Sequence, residues 1–212
     1  MFPAPILRGM MVNQVRRAMS IPLFTIDGIL PPFTGTGPGD DPSLMSPYSV
    51  DVSEVTARFG TTLGRRRILS GWLDQRAALR EIGIEEGFQW LDGSFLEEKE
   101  PNDLDIVSFL RFPQGVYTGE EQLAFWDTNI ALFDRLVVRA TYSLDCFFIP
   151  LDGSSEGLVS LSRYFLQLFS HQRGTFLWKG MIQVPLEAAS DAFAREQLLL
   201  LAPIIEFGEG QA

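Results

Sequence analysis

Three aspartates and a Gly-Ser pair are the residues of this chain best suited to chemistry. Asp103 and Asp105 flank Leu104 and run into Ile106 and Val107; Gly93-Ser94 lies upstream, and Asp145 follows within Ser-Leu-Asp-Cys-Phe-Phe-Ile. Two acids separated by one residue on a strand share a face, and at a rise of about 3.3 Å per residue they stand about 6.5 Å apart. A third acid on another strand would complete a set of hard oxygen donors for Mg2+ or Mn2+. Two such ions about 3.5–4 Å apart hold an attacking oxygen, a phosphorus and a leaving group in line. Gly93 lets the backbone approach phosphate closely, and the Ser94 hydroxyl and N–H can donate to β- or γ-phosphate oxygens. The chemistry expected of this set is nucleotidyl transfer, with Asp103, Asp105 and Asp145 as catalytic metal ligands. Alone, an Asp-x-Asp is ordinarily a solvated strand end and a Gly-Ser a turn. The order of all the parts is what sets this chain apart.

Three cations and the chain's single histidine are candidates for binding the nucleotide. His171, Arg173 and Lys179 lie together in a stretch with Gly174 and Gly180. They suit a triphosphate or an acidic acceptor, Arg173 through its bidentate fork. The competing reading is a helix C-terminus that favours His171, with the other two merely exposed. Lys99, just before Asp103, could reach phosphate, or belong to a surface charge cluster with Glu97, Glu98 and Glu100.

These residues need elements to hold them. Asp51 and Ser53 can cap a short helix ending near Gly60, and residues 62–82 read as a longer one with Leu69, Trp72, Leu73 and Leu79 on its apolar side. Its arginines, Arg65, Arg66, Arg67, Arg76 and Arg80, read as a solvated face. Residues 87–91 favour a strand. Along 103–110, Asp103, Asp105, Val107 and Phe109 share one face and Leu104, Ile106, Ser108 and Leu110 the other, which suits a central strand covered on both sides. The spacing of Leu123, Trp126, Ile130, Phe133 and Val137 predicts one helix over 119–137 with a buried stripe. A strand follows at 141–149, then a helix at 157–169 with Leu158, Leu161, Phe165 and Leu168 as core. A strand at 176–186 and a helix at 188–201 close the pattern. The fold class is α/β (α+β), a mixed sheet flanked by helices.

Composition narrows the function. The chain has 212 residues, a formal net charge of −10 and 46% hydrophobic residues. That acidity argues against non-specific nucleic-acid binding, which needs clustered Lys and Arg. Cys146 is the single cysteine, so an intramolecular disulfide and a zinc cluster are excluded and a reducing cytoplasm is the simplest home. The longest apolar runs are too short to span a bilayer. Residues 1–48 read as a loose arm and a Pro/Gly-rich loop, and residues 49–212 as the folded domain.

The order of motifs resembles the nucleotidyltransferase fold of the DNA polymerase beta superfamily, and within it the small "minimal" nucleotidyltransferases. The superfamily pattern falls on Gly93, Ser94, Asp103, Asp105 and Asp145. More closely, Gly28-Ile-Leu-Pro-Pro, Arg58-Phe-Gly, Trp90-Leu-Asp-Gly-Ser-Phe, Glu98-Lys-Glu-Pro-Asn-Asp-Leu-Asp and the run from His171-Gln-Arg to Trp178-Lys-Gly resemble an uncharacterised bacterial family classed as nucleotidyltransferase-like. The similarity covers about residues 28–186. It implies transfer of an NMP from an NTP, with ATP the expected donor, to a protein, an RNA end or a small molecule. It also leaves open a catalytically degenerate module, such as an antitoxin or regulatory subunit, and a nucleotide-signal synthase in antiphage defence. Two departures stand out: eight residues separate Ser94 from Asp103, so the intervening helix must shrink to a turn, and Asp92 stands where the pattern is usually apolar.

Overall fold

The computed structural model describes residues 21–39 and 41–200; residues 1–20 of the expected arm lie outside them. Among the described residues there are five strands: β1 (Tyr48–Ser49), β2 (Gly87–Asp92), β3 (Leu104–Leu110), β4 (Leu144–Pro150) and β5 (Ile182–Pro185). Seven α-helices accompany them: α1 (Val52–Phe59), α2 (Leu63–Glu81), α3 (Gly119–Thr128), α4 (Ile130–Phe133), α5 (Arg135–Tyr142), α6 (Ser155–Phe169) and α7 (Asp191–Leu200). The expected mixed α/β class is what the chain adopts.

The sheet runs β1-β5-β2-β3-β4. The short link from β2 to β3 makes that pair antiparallel, whereas β3 and β4 are parallel because the α3–α5 crossover returns the chain to its starting end. The alternation along β3 divides as expected. Leu104 and Ile106 join one core with Leu69, Trp72 and Val138, while Val107 and Phe109 join another with Trp90, Phe165 and Phe169. Helices therefore cover both faces of the central strand. None of the helices, among the described residues, is long and apolar enough to cross a membrane.

Helix starts follow local chemistry. Asp51 and Glu54 form a reciprocal capping box on α1, and Thr62 accepts from the Arg65 N–H to start α2. The basic face of α2 is not what was expected. Arg65 and Arg76 are buried. Arg65 donates to the carbonyls of Phe95, Glu97 and Lys99, and Arg76 forks onto Asp191 and reaches Gln89. Guanidinium's planar set of donors suits such multi-carbonyl bracing, and of the Arg65–Arg67 run Arg67 alone is exposed.

Other expectations need correction. The helix over 119–137 is three pieces, broken at Asn129, whose side chain donates back to Phe125 O, and at Asp134, which caps α5 by accepting from the Leu136 and Val137 N–H groups. Of its stripe only Phe133 is buried; Leu123, Ile130 and Val137 are exposed. On α6, Phe165 is buried but Leu161 and Leu168 are exposed. Periodicity identified a face, but among the described residues its flanks are left exposed. The strand expected at 176–186 shrinks to β5, preceded by a loop joined by a bridge between His171 and Trp178. Residues 21–48 are also not outside the folded body: Ile21 and Leu30 lie in the main core, and Tyr48 pairs with Ile182.

Candidate active site

Register, which spacing alone does not reveal, brings the acids together. Asp105 on β3 lies opposite Asp145 on β4, and on its other side opposite Asp92 on β2. Cross-strand partners point to the same face at an inter-strand spacing of about 4.8 Å, so three aspartates form one rung. Asp103 precedes β3 by one residue and shares the face of Asp105.

The turn after β2 is built around this rung. Gly93–Leu96 is a single 3-10 turn, the shortening that the eight-residue spacer required. Gly93 has φ +77°, and a Cβ there would lie 1.7 Å from Asp105 Oδ2. Glycine is needed twice at this position, once for the backbone and once for the acid. The turn is held from beneath by Arg65, whose three bonds to the carbonyls of Phe95, Glu97 and Lys99 satisfy the loop's buried acceptors.

Beside it lies a cleft of about 210 Å³ lined by Asp92, Gly93, Ser94, Glu97, Lys99, Asp105, His171, Arg173 and Lys179, among others. The structure thus gathers all six expected nucleotide-binding residues, Gly93, Ser94, Lys99, His171, Arg173 and Lys179, around Asp105. They are not equivalent. His171 and Arg173 are exposed on the loop after α6. Lys179 is only 3% exposed, its ammonium committed to Asp92 Oδ1 (3.0 Å), Glu97 Oε1 (3.3 Å) and Gly93 O (3.2 Å). Lys99 pairs with Glu97 Oε2 at 2.6 Å, and Gln172 donates to the same oxygen.

Charge in this cluster is unevenly balanced. Burial pushes the Asp92 carboxyl up to about 7 despite the Lys179 charge and the Gly93 N–H. Burial would raise Glu97 too, but hydrogen bonds from Lys99 and Gln172 and the charge of Lys179 outweigh it and hold Glu97 below its ordinary value. Asp105 is raised by burial and then by the like charges of Asp103 and Asp145, with Arg173 and Lys179 opposing. Asp145 is lowered, chiefly by the hydrogen bonds of Arg135.

Arg135 and Arg139, both on α5, are functional candidates that the sequence reading missed. Arg135 forks onto both oxygens of Asp145, and Arg139 Nη2 lies 2.7 Å from Asp103 Oδ2. Their signal was present as an i, i+4 pair one turn before the acid-bearing strand. Asp92 and Glu97 were missed for want of register. The residues expected to hold Mg2+ or Mn2+ offer hard carboxylate oxygens on neighbouring strands, and Gly93 leaves room for Asp105, so the donor chemistry fits the ions. The acids are not arranged as a cage: among the described residues no three such side chains are grouped to hold an ion, and arginines engage Asp145 and Asp103.

A family model described as "Family of unknown function (DUF6932)" matches residues 22–185. Neither the curated proteins nor the solved structures contain a match to the chain.

Proposed function

We propose that this chain, which belongs to the DUF6932 family, is a metal-dependent nucleotidyltransferase of the polymerase beta type. It moves an NMP from an NTP, with ATP the expected donor, to an acceptor hydroxyl and releases pyrophosphate. The observation that carries this reading is the rung of Asp105 and Asp145 packed against Gly93, at the edge of a cleft carrying Ser94, Lys99, His171 and Arg173.

Each residue has a part in that reaction. The cleft, about 210 Å³, is below the roughly 300–1,000 Å³ of a whole-ligand pocket, so it takes the phosphate chain and leaves the nucleoside outside. Ser94 and the backbone of the turn donate to the chain's terminal oxygens, while Arg173 and Lys99, both solvent-facing, neutralise it. Lys179 holds the cleft floor by tying Asp92, Glu97 and Gly93 together. Asp103, Asp105 and Asp145 would hold the ions, which when bound supply charge neutralisation and a more acidic acceptor hydroxyl. Asp105, half-buried and flanked by the like charges of Asp103 and Asp145, gains most from a cation beside it.

The test is incubation with α-labelled NTPs, Mg2+ or Mn2+ and cell lysate. Transfer of label by the wild type and its loss in Asp105→Asn are the expected results; no labelled product with either ion removes the reading. One observation favours a second reading, a degenerate binding module such as an antitoxin or regulatory subunit: arginines already satisfy two of the three acids. A stable partner retained equally by wild type and an Asp103→Ala, Asp105→Ala variant, with no transfer by either, would establish it.

A further inference from the structure

Arg135 and Arg139 lie four residues apart on one face of α5, whose backbone is fixed at both ends. Asp134 caps its start, and Ser143 ends it in the left-handed conformation. Near that end α2 packs so closely that a Cβ on Gly71 would lie 2.1 Å from Tyr142 O. The movable parts are the arginine side chains, 53% and 54% exposed, while the carboxylates they hold are far less so, at 9% for Asp145 and 17% for Asp103. Arg135 uses Nε and Nη2 on the two oxygens of Asp145, and its guanidinium lies over the Phe147 ring at 4.7 Å. A divalent ion needs those same oxygens, and each guanidinium takes lone-pair sites the ion would use and opposes it with its own positive charge.

We infer that Arg135 and Arg139 are displaceable counter-ions that compete with divalent cations for Asp145 and Asp103. The inference rests on the reading of Asp103, Asp105 and Asp145 as an ion site. In the state described here the two guanidiniums neutralise the acids, so the rung is stable without ions. Loading a divalent ion turns both side chains out toward solvent, where they become free cations beside the mouth of the phosphate cleft. An incoming anion then gives them new partners. Ion and anion consequently favour each other's binding by the same factor, as linkage requires.

The probe is Mn2+ alone, titrated into the full chain by calorimetry and followed by electron paramagnetic resonance. The wild type is compared with Arg135→Gln, Arg139→Gln, the double variant, and Asp103→Asn/Asp145→Asn. The double Gln variant should bind Mn2+ about tenfold more tightly than wild type, about 1.4 kcal/mol, with Arg139→Gln intermediate and the double Asn variant silent. Equal or weaker binding by the Gln variants overturns the inference, as does Mn2+ binding that survives in the double Asn variant. Should the double Gln variant fail to fold, Arg139→Gln alone decides, since it leaves the Asp145 fork intact. The titration contains no nucleotide. Tighter Mn2+ binding without label transfer therefore removes only the enzymatic reading, and transfer without tighter binding removes only the competition.

Discussion

Replacing Gly93 by alanine separates two effects that the structure predicts with different sizes. The first is backbone strain. Gly93 sits at φ +77°, and a side chain in the left-handed region costs about 1–2 kcal/mol. For a chain of this length each kcal/mol lowers Tm by about 2–4 °C, so strain alone should cost about 2–8 °C. The second effect is local. The new Cβ would lie 1.7 Å from Oδ2, 2.7 Å from Cγ and 3.1 Å from Cβ of Asp105. Asp105 is short, so rotation about its first torsion must clear Cγ and Oδ2, and a small backbone shift must ease the 3.1 Å contact with its Cβ. That moves the carboxylate off the rung it shares with Asp145, and a displacement of about 1 Å in a catalytic group costs about a hundredfold in rate. Differential scanning fluorimetry reads the first effect and the labelled-NTP assay the second. The expected protein is folded, slightly less stable and nearly inactive. An alanine variant with unchanged Tm and undiminished transfer would refute both the turn geometry and the placement of Asp105.

Two further outcomes follow from buried charge. The Asp92 carboxyl, pushed up to about 7 by burial, ionises near pH 4 in the unfolded chain, so between about pH 4 and 7 the folded state holds a proton that the unfolded state has released. Its contribution therefore falls as pH rises through that window, and Tm of Asp92→Asn minus Tm of wild type should grow from pH 4 to 7; a flat or falling difference would show that Asp92 does not titrate as described. Arg76 is fully buried against Asp191 of α7, so Arg76→Met leaves Asp191 with Arg80 as its ionic partner, strips the Leu186 and Glu187 carbonyls of a buried donor, and should cost about 3 kcal/mol in urea denaturation. A loss below about 1 kcal/mol, the range of exposed pairs, would mean that the brace carries little.

Much of the scaffold was readable from local chemistry. Capping by Asp51, the two-faced alternation of β3 and the forced shrinkage of the turn after Ser94 all depend on residues near one another in the chain. The acid pair could be named for the same reason. What escaped depends on contacts between distant segments. Asp92 joins the rung only through the antiparallel register of β2 and β3, and Arg65 braces the turn only because α2 passes beneath it. The apolar stripes of α3 and α6 mark a side of a helix, but how far they are buried depends on what packs there. Arg135 and Arg139 show the same limit most plainly. As letters they are an exposed basic pair, and only the parallel pairing of β3 and β4 sets two acids within their reach.

Cys146 directly follows Asp145 on β4 but points to the opposite side of the sheet, where it is 2% exposed in the main core. Burial raises its thiol pKa far above the ordinary range, which further suppresses the reactive thiolate. As the sole sulfhydryl of the chain, it is an intrinsic clock: a thiol-specific dye can label it only when that strand parts from its neighbours. The labelling rate of any variant then reports, without an introduced cysteine, whether the acid-bearing strand is seated, distinguishing a disabled site from a loosened sheet.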